Sequence, residues 1–102
     1  MTEAAAIAWY RPEAWLRVKQ LAADPERMEA SYAAWALVAA AACAELEQRG
    51  IRVLQVEVEP DDLVRWCQRR QVPLDELARA RFAAERARSW SGGVDAGPMP
   101  VP

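Results

Sequence analysis

The sequence predicts a single small α+β domain. It is dominated by helices in the order strand-helix-helix-strand-helix-helix, with a minimal two-stranded sheet. Three observations predict it. Apolar residues recur at helical spacing over most of the chain. Residues Leu54 to Glu59 instead alternate apolar and polar, as a half-buried strand does. Pro12, Asp24-Pro25 and Pro60 stand where the pattern restarts, and proline suits the first turn of a helix. A chain of 102 residues is one domain in length and can bury a core without metal or disulfide. The domain is expected to span residues 4–90, followed by a disordered Gly/Pro-rich tail over residues 91–102.

Ala4 to Tyr10 reads as a short strand stopped by Pro12, although alanine is a poor strand former. Pro12 to Ala23 reads as a helix with Trp15, Val18 and Leu21 on one face and Glu13 in the first turn. Asp24 is expected to cap a second helix that Pro25 opens and Gly50 ends. Met28, Tyr32, Trp35, Ala39, Ala42 and Leu46 form its seam. Alanines flank that seam closely, so this helix is expected to be the central buried one.

Ile51 to Glu59 is the clearest strand. Ile51 and Val53 fall in the phase opposite to Leu54, Val56 and Val58, which a bulge near Val53 would explain. Pro60-Asp61-Asp62 opens a third helix with Leu63, Trp66 and Cys67 inward, and Asp75 opens a fourth that runs to about Trp90. The first strand is expected to pair with the second across the helical hairpin.

The composition excludes more chemistry than it assigns. There is no histidine and no asparagine, one threonine and three serines. Histidine is the usual general base near neutral pH and the commonest metal ligand, so no catalytic residue, metal or cofactor is assigned. Cys43 and Cys67 form no CxxC motif and read as reduced, buried apolar residues. Net charge is −2, so no global field draws nucleic acid. No basic segment leads into an apolar one at the N-terminus. The longest apolar run, Ala33 to Ala44, is shorter than the ~20 residues of a membrane span. A cytoplasmic protein without membrane contact is expected.

Two groups of residues are candidate binding surfaces. Tyr10, Trp15, Tyr32 and Trp35 lie close in sequence and form either the core or a platform for a flat ligand or partner. Tyr10 is the member expected to be exposed, because Trp9 and Tyr10 cannot both face inward from a strand. Arg79 and Arg81 stand near the buried face of the fourth helix and are candidates to hold an anion or a buried carboxylate. Between Arg65 and Arg88 there are seven arginines against three acids. This basic face (Arg65, Arg69, Arg70, Arg86 and Arg88) reads as a phosphate or acidic-partner surface, or as a solvated face with ion pairs around Glu85. Glu57, Glu59, Asp61 and Asp62 cluster at the strand end but match no calcium loop.

Trp9-Tyr10, Asp24-Pro25, Tyr32-x-x-Trp35, Gly50 with Val53, Val56 and Val58, Leu63-x-x-Trp66-Cys67 and Ala78-Arg79-Ala80 together form a recurring pattern. Over residues 7 to about 85 it resembles a group of small bacterial proteins to which no activity is attached. The resemblance therefore implies no function.

The leading expectation is a non-enzymatic protein-interaction or regulatory module, homodimeric through apolar helix or strand-edge surface. The alternatives are a ligand-binding protein or enzyme with an aromatic pocket and an arginine anion contact, and a nucleic-acid-associated regulator using the Arg65–Arg88 face.

Overall fold

A computed structural model describes residues 3–93, with side chains through residue 89. Its elements are β1 (Ala4–Trp9), α1 (Pro12–Leu21), a 3-10 turn at Pro25–Arg27, α2 (Tyr32–Gln48), β2 (Arg52–Glu57), α3 (Pro60–Arg70) and α4 (Glu76–Gly93). The order and the helix-dominated α+β class are those the sequence predicts. β1 and β2 pair in parallel, from Ala4 beside Arg52 to Trp9 beside Glu57, and α1 and α2 form the crossover between them. The register is unbroken, so no bulge shifts Val53. Val53 lies half-buried on the face opposite Leu54 and Val56.

The alanines that make β1 a poor strand in isolation explain its place here. Ala6 and Ala8, with Leu54 and Val56 beside them, pack against Ala83 and Ala87 of α4. Small side chains on both surfaces let the helix approach the strands closely. The larger core lies where the strand ends meet α1, α3 and α4, and includes Tyr10, Trp15, Val18, Val58, Leu63, Trp66, Leu74 and Phe82. Trp15, Leu63, Val18, Val56 and Val58 are fully buried. Each such aliphatic side chain contributes roughly 1.5–3 kcal/mol by leaving water.

Several boundaries differ from expectation. α1 ends at Leu21, which is exposed, and its buried side chains are Ala14, Trp15 and Val18. α2 begins at Tyr32, not at Pro25. Ser31 is its N-cap and accepts a 3.1 Å hydrogen bond from the Ala34 amide, while Pro25–Arg27 forms a separate short turn. Asp75, just ahead of α4, accepts from the Ala78 amide at 2.9 Å. α4 continues through Ser91, Gly92 and Gly93, residues the composition assigns to the tail. That helix is already anchored by Ala83 and Ala87 and carries its last turn onward. The remaining tail residues, 94–102, lie outside the described residues. Among the described residues, no helix is long and apolar enough to cross a membrane.

Gly50 ends α2 as predicted. Its φ of +81° is left-handed, and its amide donates to the Glu47 carbonyl at 3.0 Å. A Cβ built there meets nothing within 4 Å. Gly50→Ala therefore clashes with no neighbour and costs only backbone conformational energy, about 1 kcal/mol. Thermal unfolding is expected to show a melting temperature roughly 4–8 °C lower.

Candidate functional site

The aromatic residues singled out from sequence do meet. Trp35 of α2 lies 5.3 Å from Trp9, 5.2 Å from Tyr10 and 5.5 Å from Tyr32, centroid to centroid, and Tyr32 lies 6.4 Å from Trp15. Most of these contacts are edge-on, the arrangement ring quadrupoles favour. The Tyr32 hydroxyl donates to the Tyr10 carbonyl at 3.4 Å. The expected exposure of Tyr10 is overturned: it is 5% exposed. It follows the strand in the phase of Ala6 and Ala8, so it turns toward the core, and Trp9 on the opposite face is covered by Trp35. Burial pushes the Tyr10 hydroxyl up to about 12, against a smaller downward pull from Arg79.

Arg79 is buried, and Asp24 is its partner. Nη1 meets Oδ1 at 2.9 Å and Nη2 meets Oδ2 at 3.4 Å, a two-pronged pair between residues 55 apart in sequence. Oδ2 also accepts the Glu76 amide at 2.9 Å. Asp24 thus caps the first turn of α4 rather than its own 3-10 turn, to which its side chain gives no cap. The reason is local: the Ala23 amide donates to the Leu74 carbonyl, which draws residue 24 against the start of α4. The Arg79 hydrogen bond, with the help of the Glu76 amide, holds the Asp24 carboxyl below its ordinary range despite burial. Arg79 is therefore not free to hold an anion. Arg81 is exposed and does not join this cluster.

Between the aromatic cluster and α4 lies a cavity of about 320 Å³. Its floor is the edge of β1 at Ala6–Ala8. Trp35, Val38, Ala39 and Ala42 of α2 form one wall, and Glu76, Arg79 and Ala80 of α4 form the other. Tyr10 and Trp15 close one end. The Trp15 indole Nε1 is buried without a hydrogen-bond partner. The sequence reading identified the rings at this site but not the strand edge that underlies it.

α2 departs furthest from expectation. It is not centrally buried: its only buried residues are Ala39 and Cys43. The predicted seam does turn inward, with Tyr32, Trp35, Ala42 and Leu46 half-buried. Up to Ala44 the other side of the helix is apolar as well, and it faces outward. Leu37 is 75% and Val38 54% exposed, and Ala33, Ala40, Ala41 and Ala44 are exposed beside them. No charge occurs from Tyr32 to Ala44, although 27% of the chain is charged.

The basic face is laced with acids. Arg70 donates to Glu85 at 2.6 Å and lies over the Trp66 ring, whose Nε1 donates to the same carboxylate at 3.1 Å. These bonds hold the Glu85 carboxyl below its ordinary range, with the Trp66 contribution the largest. Asp62 accepts from both Arg65 and Arg86. Burial opposes its ionisation, but the two arginines outweigh burial and lower its pKa. Arg69 and Arg88 are exposed. At the strand end, Arg11 bridges Glu57 at 2.9 Å and Glu59 at 3.4 Å. Cys43 and Cys67 are free and buried. Among the described residues, no group of three or more histidines, cysteines or acids is placed to hold a metal ion.

No protein-family model, curated protein or solved structure matches this chain.

Proposed function

We propose that this protein is a non-enzymatic interaction module whose contact surface is the outer face of α2 together with the β1 edge beside it, and that it associates with itself there. One observation carries the reading. α2 is apolar on every side from Tyr32 to Ala44, yet only Ala39 and Cys43 are buried. A helix that is hydrophobic all round is ordinarily enclosed by protein, and a contiguous exposed apolar patch marks a contact surface. The described residues leave Leu37 and Val38 in water, and in this reading a second molecule supplies their cover. The surrounding chemistry favours contact over catalysis: Arg11, Arg65, Arg70, Arg79 and Arg86 are all engaged by carboxylates.

A second reading rests on a separate observation. The cavity is lined by the rings of Tyr10, Trp15 and Trp35, a setting that suits a small planar ligand. The cavity suits a ligand without net charge, because of the charged residues lining it Arg79 is paired with Asp24 and Arg27 with Glu76.

Leu37→Glu separates the two readings. The side chain is 75% exposed, so a carboxylate there leaves the folded chain nearly unchanged, with a melting temperature within a few degrees of the parent at high dilution. In the interaction reading it places a charge in a desolvated contact, and the assembly formed by the parent dissociates at least tenfold more readily by light scattering. An assembly indifferent to Leu37→Glu, or a parent that never assembles, rules the reading out.

A further inference from the structure

The two edges of the sheet are not alike. The Arg52 amide donates to the Glu3 carbonyl and the Val58 amide to the Trp9 carbonyl, both at 2.9 Å. Backbone groups in a strand point alternately to its two sides, so the odd-numbered residues of β1 bond to β2. Ala4, Ala6 and Ala8 direct their amides and carbonyls outward. That edge carries no charge, no proline and no bulge, the devices by which an exposed edge is normally protected from pairing. β2's outer edge is protected: Arg52, Gln55 and Glu57 are exposed along it. A sheet of two strands is also marginal by itself, and a third strand with an apolar face brings independent stability.

We propose that β1 of a second copy of this chain pairs antiparallel with this edge about a two-fold axis at Ala6, joining the two sheets into one of four strands. Ala6 then exchanges both backbone hydrogen bonds with Ala6 of the second copy, and Ala4 and Ala8 do so with each other's counterparts. The inference rests on the interaction reading above and names its partner and register.

The uncharged strand edge is compatible with a second copy as the occupant, and the unpaired edge of β1 itself selects it. In a two-fold contact each group near the axis meets its own copy, so a charge there meets a like charge. β1 and residues 32–44 of α2 carry no charge. Arg27, Glu29, Glu76 and Arg79 also line the cavity, but Arg27 is paired with Glu76 and Arg79 with Asp24. The occupant must also offer an unpaired strand edge, and β1 itself is one. The small side chains at positions 6 and 8 leave room between the walls formed by Val38 and Ala42 on one side and Ala80 on the other. The same pairing brings the two α2 helices alongside each other, which covers the apolar surface that each chain alone leaves in water.

Amide hydrogen exchange on the unmodified protein tests the pairing, with molar mass measured on the same samples. The amides of Ala6 and Ala8 are expected to exchange roughly a hundredfold more slowly at concentrations where the mass has doubled than in the dilute monomer. Ala6→Pro removes an outward amide without touching the ladder to β2, and is expected to weaken the dimer at least tenfold. Gln55→Pro does the same on the protected edge and leaves the dimer intact. If Ala6→Pro prevents folding, the exchange result on the unmodified chain decides alone. A doubled mass with Ala6 and Ala8 exchanging at the monomer rate overturns the strand pairing while sparing the α2 contact. A mass that never doubles overturns both.

Discussion

Asp24→Asn is expected to lower the melting temperature at pH 7 by more than about 10 °C, the largest effect of any single polar substitution in the protein. The carboxylate is buried and serves two elements at once, pairing with Arg79 and capping α4 through the Glu76 amide. Asparagine keeps the shape and still accepts the amide, but leaves the Arg79 guanidinium buried without its counter-charge. Breaking a buried pair in this way costs about 3 kcal/mol or more, because the remaining charge stays desolvated. For a domain of this size each kcal/mol moves the midpoint by roughly 4–8 °C. Replacing both partners by apolar residues, Asp24→Leu with Arg79→Met, is expected to recover much of the loss.

The same pair sets the acid limb of stability. The folded state holds the Asp24 proton less tightly than the unfolded chain, whose carboxyl titrates near 3.8. Its contribution is therefore complete above that value and lost as pH falls through the lower folded value. Denaturant unfolding followed from pH 6 downward checks the sign: the parent loses stability below about pH 4 more steeply than Asp24→Asn does. Parallel acid limbs would show that Asp24 contributes nothing there.

Trp35→Ala is expected to cost about 3 kcal/mol, with a matching fall in the urea midpoint. Trp35 is half-buried, which places the loss at the low end of the range for truncating a large aromatic. Its ring nonetheless touches Trp9, Tyr10 and Tyr32, and so ties α2 to the end of β1. A melting temperature unchanged in Trp35→Ala would mean the ring lies on the core as a platform and holds nothing together.

The strands and helices were legible because their signals are local. Pro12 and Pro60 open α1 and α3, Gly50 closes α2, and the alternation in Leu54 to Val58 has one explanation. The start of α2 was misplaced because Asp24-Pro25 reads as a cap and first turn in isolation. The aspartate's actual partners, Glu76 and Arg79, lie more than fifty residues away and leave no mark on the spacing around it. Strand alternation predicts Tyr10 outward, but the strand ends at Trp9 and both rings pack against Trp35, a contact that depends on where α2 lies. The aromatic half of the candidate site was legible because its rings fall at helical spacing. Its strand-edge half was not, since an edge exists only once the number of strands is known. The exposure of α2 was hidden for a related reason: an all-apolar helix reads as buried, and spacing alone does not reveal that the other described elements leave its outer face in water.

Molar mass in solution, measured by light scattering across a dilution series, tests the central claim most directly. A mass moving from 11.4 kDa at high dilution toward twice that value as concentration rises is the predicted result. A mass of 11.4 kDa at every concentration contradicts it, and would leave the cavity beside Trp15 as the site that the fold presents.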